Sequence, residues 1–250
     1  VQSMFASYQT LLIVTKITAG GNVWILTQAS EAAEGNNGTA ANAGSSVWKK
    51  VMKSTTAGDY LSNVVTARGQ VSSGTYNAFI AQTSSGTVYT WGNSTFLGNG
   101  SASAARTVAT QMTLPQESGS AIVPKMIGVT GGIGSTSTTK NTYYVLSNAG
   151  NLYALGDNTQ KQCGDFTVTD RTSWVQVKKT AAANDYLTNI NTFSCQEHNS
   201  SYPAIGAITT SGIVYTWGND NSGMIGRTSD GTAGGTVGTS YDPGTTVDFS

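Results

Sequence analysis

The chain has 250 residues, of which 38% are hydrophobic, and its 13 basic and 13 acidic side chains give a formal net charge of zero. This length suffices for one large domain with a buried core, and the hydrophobic content excludes a disordered chain. The lack of a basic excess argues against a nucleic-acid partner, whose phosphates would need neutralising. Because no apolar run reaches about 18 residues, we expect no helix inserted in a membrane. Gly, Thr, Ser and Asn supply roughly 45% of the residues, which is typical of turns and strands.

Four copies of one short motif divide the chain. The motif reads Gly-x-Val-Tyr-x-Trp-Gly-Asn in its clearest copies, and its first glycines are 65, 64 and 62 residues apart, at Gly21, Gly86, Gly150 and Gly212. A second motif, Asp-Tyr-Leu-x-Asn followed by Val or Ile, occurs twice, 126 residues apart. Two independent motifs with one period of about 63 residues indicate a structural repeat. We therefore treat residues 1–250 as one segment of four repeats, roughly 1–64, 65–127, 128–190 and 191–250.

Each repeat is predicted to contain a β-hairpin. An apolar or alternating run precedes each motif glycine and a second run follows it, with turn-forming residues between them. The glycine supplies the positive φ that such a turn requires. The pattern predicts strands over residues 78–82, 87–91, 142–146, 151–155, 204–209 and 213–217. Two further strand candidates in each repeat make about four strands, which is typical of one β-propeller blade.

The repeat resembles that of the regulator of chromosome condensation family. The resemblance rests on the motif above, on a second small element that follows it, and on a later arginine: Leu97-Gly98, Cys163-Gly164, Ile225-Gly226, Arg106 and Arg171. It implies an all-β fold, a β-propeller, in a family that typically has seven blades. Because about four repeats are present, we expect either a ring completed outside this segment of a larger surface protein or an unusual ring.

The residues shared by the repeats are expected to be structural. They are Gly86, Trp91, Gly92, Gly150, Gly156, Gly212, Trp217 and Gly218. Aromatic rings at a fixed position of each hairpin are expected to pack between neighbouring blades and not to stack on a sugar. The second glycine of each motif follows a strand that ends in a large apolar residue, where the chain must turn sharply.

The sequence shows no recognisable catalytic constellation. His198 is the single histidine, no Gly-x-Ser-x-Gly motif occurs, and the acidic residues form no distinctive pair. Two cysteines and one histidine are too few for a zinc site. We therefore expect no enzymatic activity, no metal and no cofactor. Cys163 and Cys195 leave two alternatives open, a disulfide between neighbouring blades or two buried thiols.

Recognition is expected on loops that break the repeat, because shared residues must serve blade packing in every copy. One such segment is the insertion over residues 29–46, expected to be an exposed loop. The other is the stretch 196–202, which contains the candidate partner-binding residues Glu197, His198, Asn199 and Tyr202.

The low charge and the Thr, Ser and Asn content favour an extracellular or cell-surface location. The sequence thus predicts a non-enzymatic recognition or adhesion module of a larger surface adhesin or host-recognition fibre, with a protein or a cell-surface glycan as ligand. One alternative is a regulator that acts by protein contact, either a secreted inhibitor or a nucleotide-exchange-type factor. A purely structural filament module is the other alternative.

Overall fold

Antiparallel β-sheet dominates the chain. The computed structural model describes residues 1–27, 31–38, 47–71, 77–93, 96–101, 105–131, 141–197, 202–220, 223–226 and 240–245. Four sheets of four strands each follow one another along the chain, and within each sheet the strands are neighbours in sequence order. We call these sheets blades 1 to 4.

The strand bounds are as follows. Blade 1 contains β1 (Ser3–Ser7), β2 (Thr10–Val14), β3 (Val23–Thr27) and β4 (Lys49–Lys50). Blade 2 contains β5 (Val64–Val71), β6 (Asn77–Thr83), β7 (Val88–Gly92) and β8 (Arg106–Gln111). Blade 3 contains β11 (Pro124–Gly131), β12 (Asn141–Ser147), β13 (Leu152–Gly156) and β14 (Arg171–Gln176). Blade 4 contains β15 (Ile190–Cys195), β16 (Ala204–Thr209), β17 (Val214–Asn219) and β18 (Ser240–Thr245).

Short elements connect the blades. A two-stranded hairpin, β9 (Gln116–Glu117) and β10 (Ser120–Ala121), lies between blades 2 and 3. The longest helix within the described residues is α1 (Glu31–Glu34), after one 3-10 turn at Ile17–Ala19. No helix in the described part of the chain is long and apolar enough to cross a membrane. The six predicted strands are confirmed as β6, β7, β12, β13, β16 and β17, each within two residues of its predicted ends.

The two ends of every blade differ. Antiparallel pairing places the connections from first to second and from third to fourth strand at one end, which we call the loop end. The connection from second to third strand and the passage to the next blade lie at the other end, the hairpin end. Equivalent ends of neighbouring blades lie side by side: Ser7 Oγ donates to the Val71 carbonyl at the loop end, and the Ile190 amide donates to the Gly150 carbonyl at the hairpin end.

Apolar side chains pack between successive blades. The first strands, β1, β5, β11 and β15, contact one another in chain order. Three buried clusters fill the spaces between the sheets, and they include Leu12, Ile25 and Trp91 between blades 1 and 2, Ile80 and Tyr143 between blades 2 and 3, and Tyr144, Phe193 and Trp217 between blades 3 and 4. The second strands of blades 2 and 3, β6 and β12, are buried at every position, whereas those of blades 1 and 4, β2 and β16, alternate between buried and more exposed positions.

The motif tryptophans serve this packing. Trp91 and Trp217 are fully buried. The Trp91 indole donates to the Ala33 carbonyl of blade 1 at 3.0 Å, and the Trp217 indole donates to the Gln162 carbonyl of blade 3 at 2.8 Å. Each ring therefore joins its own blade to the preceding one, both by apolar contact and by a hydrogen bond that satisfies its buried N–H group.

Two sequence expectations need correction. The insertion over residues 29–46 is not simply an exposed loop, because Ala33, Glu34 and Gly35 are buried in its described part. A Cβ atom at Gly35 would lie 2.9 Å from the Trp91 ring, so this segment forms part of the interface between blades 1 and 2. Residues 29, 30 and 39–46 of this segment lie outside the described residues.

The second correction concerns the two cysteines, which are free thiols. The Cys163 Sγ is directed at the Gly156 and Asp157 carbonyls of its own blade. The Cys195 Sγ is directed at the Val129 carbonyl of blade 3, at 3.6 Å. Of the two alternatives from the sequence, the structure therefore has separate thiols. Burial raises the pKa of both, which disfavours the reactive thiolate forms.

Candidate functional site

Polar groups from three blades meet at the loop end. Ser7 is the last residue of the first strand of blade 1, and Arg68 lies on the first strand of blade 2. Glu197 follows the first strand of blade 4. The Ser7 hydroxyl lies 3.4 Å from the Glu197 carbonyl, and Arg68 Nη1 lies 3.9 Å from Glu197 Oε2. Residues separated by as many as 190 positions in the sequence thus form one surface. We call Ser7, Arg68 and Glu197 the loop-end cluster.

Glu197 is the electrostatically distinctive member of the loop-end cluster. Its side chain is 28% exposed, compared with 47% for its ion-pair partner Arg68. Burial raises the pKa of Glu197, and the Arg68 guanidinium acts in the opposite direction without cancelling the effect. A partly desolvated carboxylate with a long ion pair retains the capacity to accept hydrogen bonds from a further cationic group. Such perturbed carboxylates are typical of functional sites.

Hydrogen bonds between blades fix the position of the loop-end cluster. Asn141 Nδ2 on blade 3 donates to Gln70 Oε1 on blade 2 at 2.8 Å, and both residues are almost fully buried. Thr130 donates its hydroxyl hydrogen to the Gln196 carbonyl, which fixes the residue directly before Glu197. These contacts between blades hold the loop-end cluster on strands and not on loops alone.

The structure locates two of the four predicted binding residues. Glu197 belongs to the loop-end cluster, and Tyr202, 37% exposed, precedes β16 at the same end of blade 4. His198 and Asn199 lie outside the described residues. Sequence reasoning did not identify Ser7 or Arg68 as neighbours of Glu197, because no local pattern relates residues on different blades.

A second polar network occupies the loop end of blade 3. Asp165 accepts hydrogen bonds from Asn158, from Thr167 and from the Arg171 guanidinium. Asn158 also accepts from the Cys163 amide at 2.8 Å. Asn158 and Asp165 are both buried, and their hydrogen bonds close the turn between β13 and β14. This network satisfies its own buried polar groups and is structural. Nowhere in the described ranges do three or more His, Cys, Asp or Glu side chains form a group that could hold a metal ion.

Comparison with known proteins identifies the fold. No protein-family model matches the chain, and no curated protein matches it at the significance required. Solved structures do match. Human WBSCR16 superposes with a TM-score of 0.59 at 14% identity, over 94% of this chain and 50% of that one.

Two structures of a yeast protein match to a similar extent. Yeast RCC1 (Prp20) bound to Kap60 has a TM-score of 0.58 at 18% identity, over 95% of this chain and 48% of that one. Prp20p from Saccharomyces cerevisiae, studied for its binding to Gsp1p and histones, has a TM-score of 0.56 at 17% identity, over 95% and 49% respectively. The chain therefore spans about half the length of the solved structures it matches. These likenesses establish that it has the β-propeller fold of RCC1-type repeats, as the sequence motif predicted.

Proposed function

We propose that this chain is a non-catalytic protein-recognition module and that its loop end carries the binding surface. The observation that carries the proposal is the loop-end cluster, where a partly desolvated carboxylate on a rigid framework has, among the residues that the structure describes, Arg68 as its cationic partner at 3.9 Å. A binding partner that supplied a basic side chain to Glu197 would complete this ion pair. Recognition residues on loops that a rigid scaffold positions are common among binding proteins.

The matched structures support a protein as partner. One is solved with Kap60 bound, and another was studied for its binding to Gsp1p and histones. These partners are proteins, and a surface that combines charge, hydroxyl groups and an exposed tyrosine suits such a ligand. An extracellular setting, adhesion and a glycan ligand are finer predictions, and they rest on the sequence alone.

Site-specific photo-crosslinking tests the proposal. We would replace Tyr202 at the loop end by p-benzoylphenylalanine and, as matched control, Ile213 at the hairpin end of the same blade, which is 47% exposed. Each protein would be irradiated with purified histones, with Gsp1p and with a protein extract of the source organism. We expect a discrete protein adduct from position 202 that disappears when Glu197 and Arg68 are replaced by alanine. Adducts formed equally from position 213, or none from position 202 in the extract, would contradict the proposal.

A further inference from the structure

One position recurs at the start of the first strand in blades 2, 3 and 4. Strand register identifies this position, and it holds Val64, Pro124 and Ile190 respectively. The Val64 amide donates to the carbonyl of Gly21, the motif glycine of blade 1, at 2.9 Å. The Ile190 amide donates in the same way to the Gly150 carbonyl of blade 3, also at 2.9 Å. At these two junctions the motif glycine of one blade is therefore bonded to the first strand of the next.

Pro124 interrupts this arrangement at the junction of blades 2 and 3. Proline has no amide hydrogen, so it cannot donate to the carbonyl of Gly86, the motif glycine of blade 2. The residue before it is Val123, where the other two junctions have Asn63 and Asn189, both with a φ of +58°. A β-branched residue before proline favours an extended backbone instead. Gly86 is buried, and none of the residues that the structure describes donates a hydrogen bond to its carbonyl.

A pocket of about 500 Å³ opens beside Gly86. One wall is the hairpin of blade 2, and the other is the segment that follows β8, including the β9–β10 hairpin. The second wall is held against blade 3, because the Trp174 indole donates to the Thr113 carbonyl at 2.6 Å. Met112 and Ile122 form part of the buried apolar floor. The pocket thus lies between two blades of the chain, away from the outer faces of blades 1 and 4.

The lining of the pocket is uncharged. All of its residues are described, and they include no Lys, Arg, His, Asp or Glu. Its polar side chains are the Ser85 and Thr87 hydroxyls, which lie 3.2 Å apart, and the exposed amides of Gln111 and Gln116, together with Thr113. A charged ligand would lose hydration here without gaining a counter-charge. An amide both donates and accepts hydrogen bonds, so the glutamines match a peptide group.

We propose that this pocket binds an uncharged peptide segment of a protein partner, whose main-chain N–H donates to the Gly86 carbonyl and whose apolar side chain packs on Met112 and Ile122. The other junctions indicate this chemistry, because there the equivalent carbonyl accepts from the main-chain N–H of an apolar residue. A sugar is less suitable, since sugar rings usually stack on an aromatic side chain and none lines this pocket. The pocket lies at the hairpin end, so the proposal goes beyond the loop-end cluster and is independent of it.

Methyl NMR with capped peptides tests the proposal. The probe is acetyl-Gly-Val-Gly-amide, which is uncharged and has one apolar side chain. We expect millimolar peptide to shift the methyl resonances of Met112 and Ile122, assigned with Met112→Leu and Ile122→Val variants. Those of Met4 and Met224, which are exposed outside the pocket, should stay in place. Peptides with aspartate or lysine in place of the valine should bind at least about tenfold more weakly.

The hydrogen bond to Gly86 is tested from both sides. N-methylation of the peptide at each N–H in turn should weaken binding by about five- to tenfold at one position. Pro124→Val installs an amide that can donate to the Gly86 carbonyl, so it should weaken binding of the parent peptide by a similar factor and show a protected amide at position 124 in hydrogen exchange. Pro203→Val is the matched control, because Pro203 is a buried proline at the loop end of blade 4.

A pocket-filling variant does not depend on the backbone change. Ala121→Trp, at an exposed position of the pocket wall, should abolish the shifts, whereas Ile213→Trp at the hairpin end of blade 4 should not.

Four outcomes would overturn the proposal. The Met112 and Ile122 resonances would not move with millimolar peptide, or Ala121→Trp would leave binding unchanged. In the third, every N-methylated peptide would bind as tightly as the parent. In the fourth, N-acetylglucosamine would shift both resonances while the peptide did not, which would make the pocket a site for amide-bearing sugars.

Discussion

The hairpin end and the loop end of the blades differ in how much their connections vary in length. At the hairpin end, the connection between the second and third strands has four residues in blades 2, 3 and 4 and eight in blade 1. Its hydrogen bonds also recur: the Thr87 amide donates to Thr83 Oγ1 at 3.1 Å, and the Ile213 amide donates to Thr209 Oγ1 at 3.0 Å. At the loop end, the connection between the first and second strands has two, five, nine and eight residues in blades 1 to 4. In blades 2 to 4 the hairpin-end connection therefore keeps one length and one hydrogen-bond pattern, while the loop-end connection varies.

Removal of a motif tryptophan should have the largest effect on stability. Trp217→Ala leaves a cavity between blades 3 and 4 and removes the indole hydrogen bond to the Gln162 carbonyl, which still accepts one from the Tyr144 hydroxyl. We therefore expect a loss of about 3–5 kcal/mol in the free energy of unfolding. Tyr202→Ala at the loop end should change it by less than about 0.5 kcal/mol. Urea denaturation of both variants measures the difference. Similar urea midpoints for the two variants would show that the packing between blades and the loop end contribute equally to stability.

Two glycines of blade 4 allow the stability cost of backbone strain to be measured apart from the cost of a steric clash. Gly212 and Gly218 have φ values of +87° and +100°. A Cβ atom at Gly212 would meet nothing within 4 Å, whereas one at Gly218 would lie 2.3 Å from the Pro203 carbonyl oxygen. We expect Gly212→Ala to cost about 1 kcal/mol from strain alone, and Gly218→Ala to cost about 3 kcal/mol because the strand must also move. Thermal unfolding of the two variants should therefore give clearly different midpoints.

The polar network of blade 3 should be sensitive to acid. Burial alone would raise the pKa of Asp165, but hydrogen bonds from Thr167, Asn158 and Arg171 and the charge of Arg171 lower it. Because the folded-state pKa is depressed, the ionised carboxylate stabilises the fold above its unfolded value of about 3.9, and this stabilisation disappears as the pH falls through the folded value. Asp165→Asn should cost about 2 kcal/mol at pH 7, and the difference from the unmodified protein should shrink below about pH 4. A difference that stayed constant from pH 7 to pH 3 would exclude this role.

The sequence predicted the framework well because the framework is periodic. Spacing of the motif glycines located six strands, and the repeated tryptophans were correctly expected to pack between blades. The β9–β10 hairpin was missed, since the second motif, present at residues 59–64 and 185–190, does not recur around Glu117 and Ser120. The burial of Ala33 was missed for a related reason. The segment around it is rich in Ala, Gly and Asn, which is typical of a loop, and its contact with Trp91 comes from the next blade.

The site was predicted only in part. Departure from the repeat directed attention to Glu197 and Tyr202, whose role in binding stays a prediction. It did not point to Arg68, the ion-pair partner of Glu197, which lies 129 positions earlier and on another blade.

Glu117 at the hairpin end and Glu197 at the loop end allow the two ends of the blades to be compared by their response to pH. Burial alone would raise the pKa of Glu117 at the hairpin end, but hydrogen bonds from Asn151, Ser147 and Tyr153 lower it. Burial raises the pKa of Glu197 at the loop end, against the opposing charge of Arg68. The ionised form is thus favoured by folding at Glu117 and disfavoured at Glu197.

Replacement by glutamine should therefore change stability in opposite directions as the pH varies. Glu117 contributes stability above its unfolded pKa of about 4.3 that is lost as the pH falls through the folded value, so Glu117→Gln should be destabilised most at neutral pH. The contribution of Glu197 is present below about pH 4.3 and is lost as the pH rises through its elevated folded value. Glu197→Gln should therefore gain stability relative to the unmodified protein between pH 4 and pH 7. Both effects are expected to be small, because each side chain is partly exposed, and urea titrations at several pH values would measure them. Glu117→Gln and Glu197→Gln could instead change the free energy of unfolding with the same sign as the pH varies. Glu197 would then be part of the packing framework, and the partner-binding surface would have to lie elsewhere at the loop end.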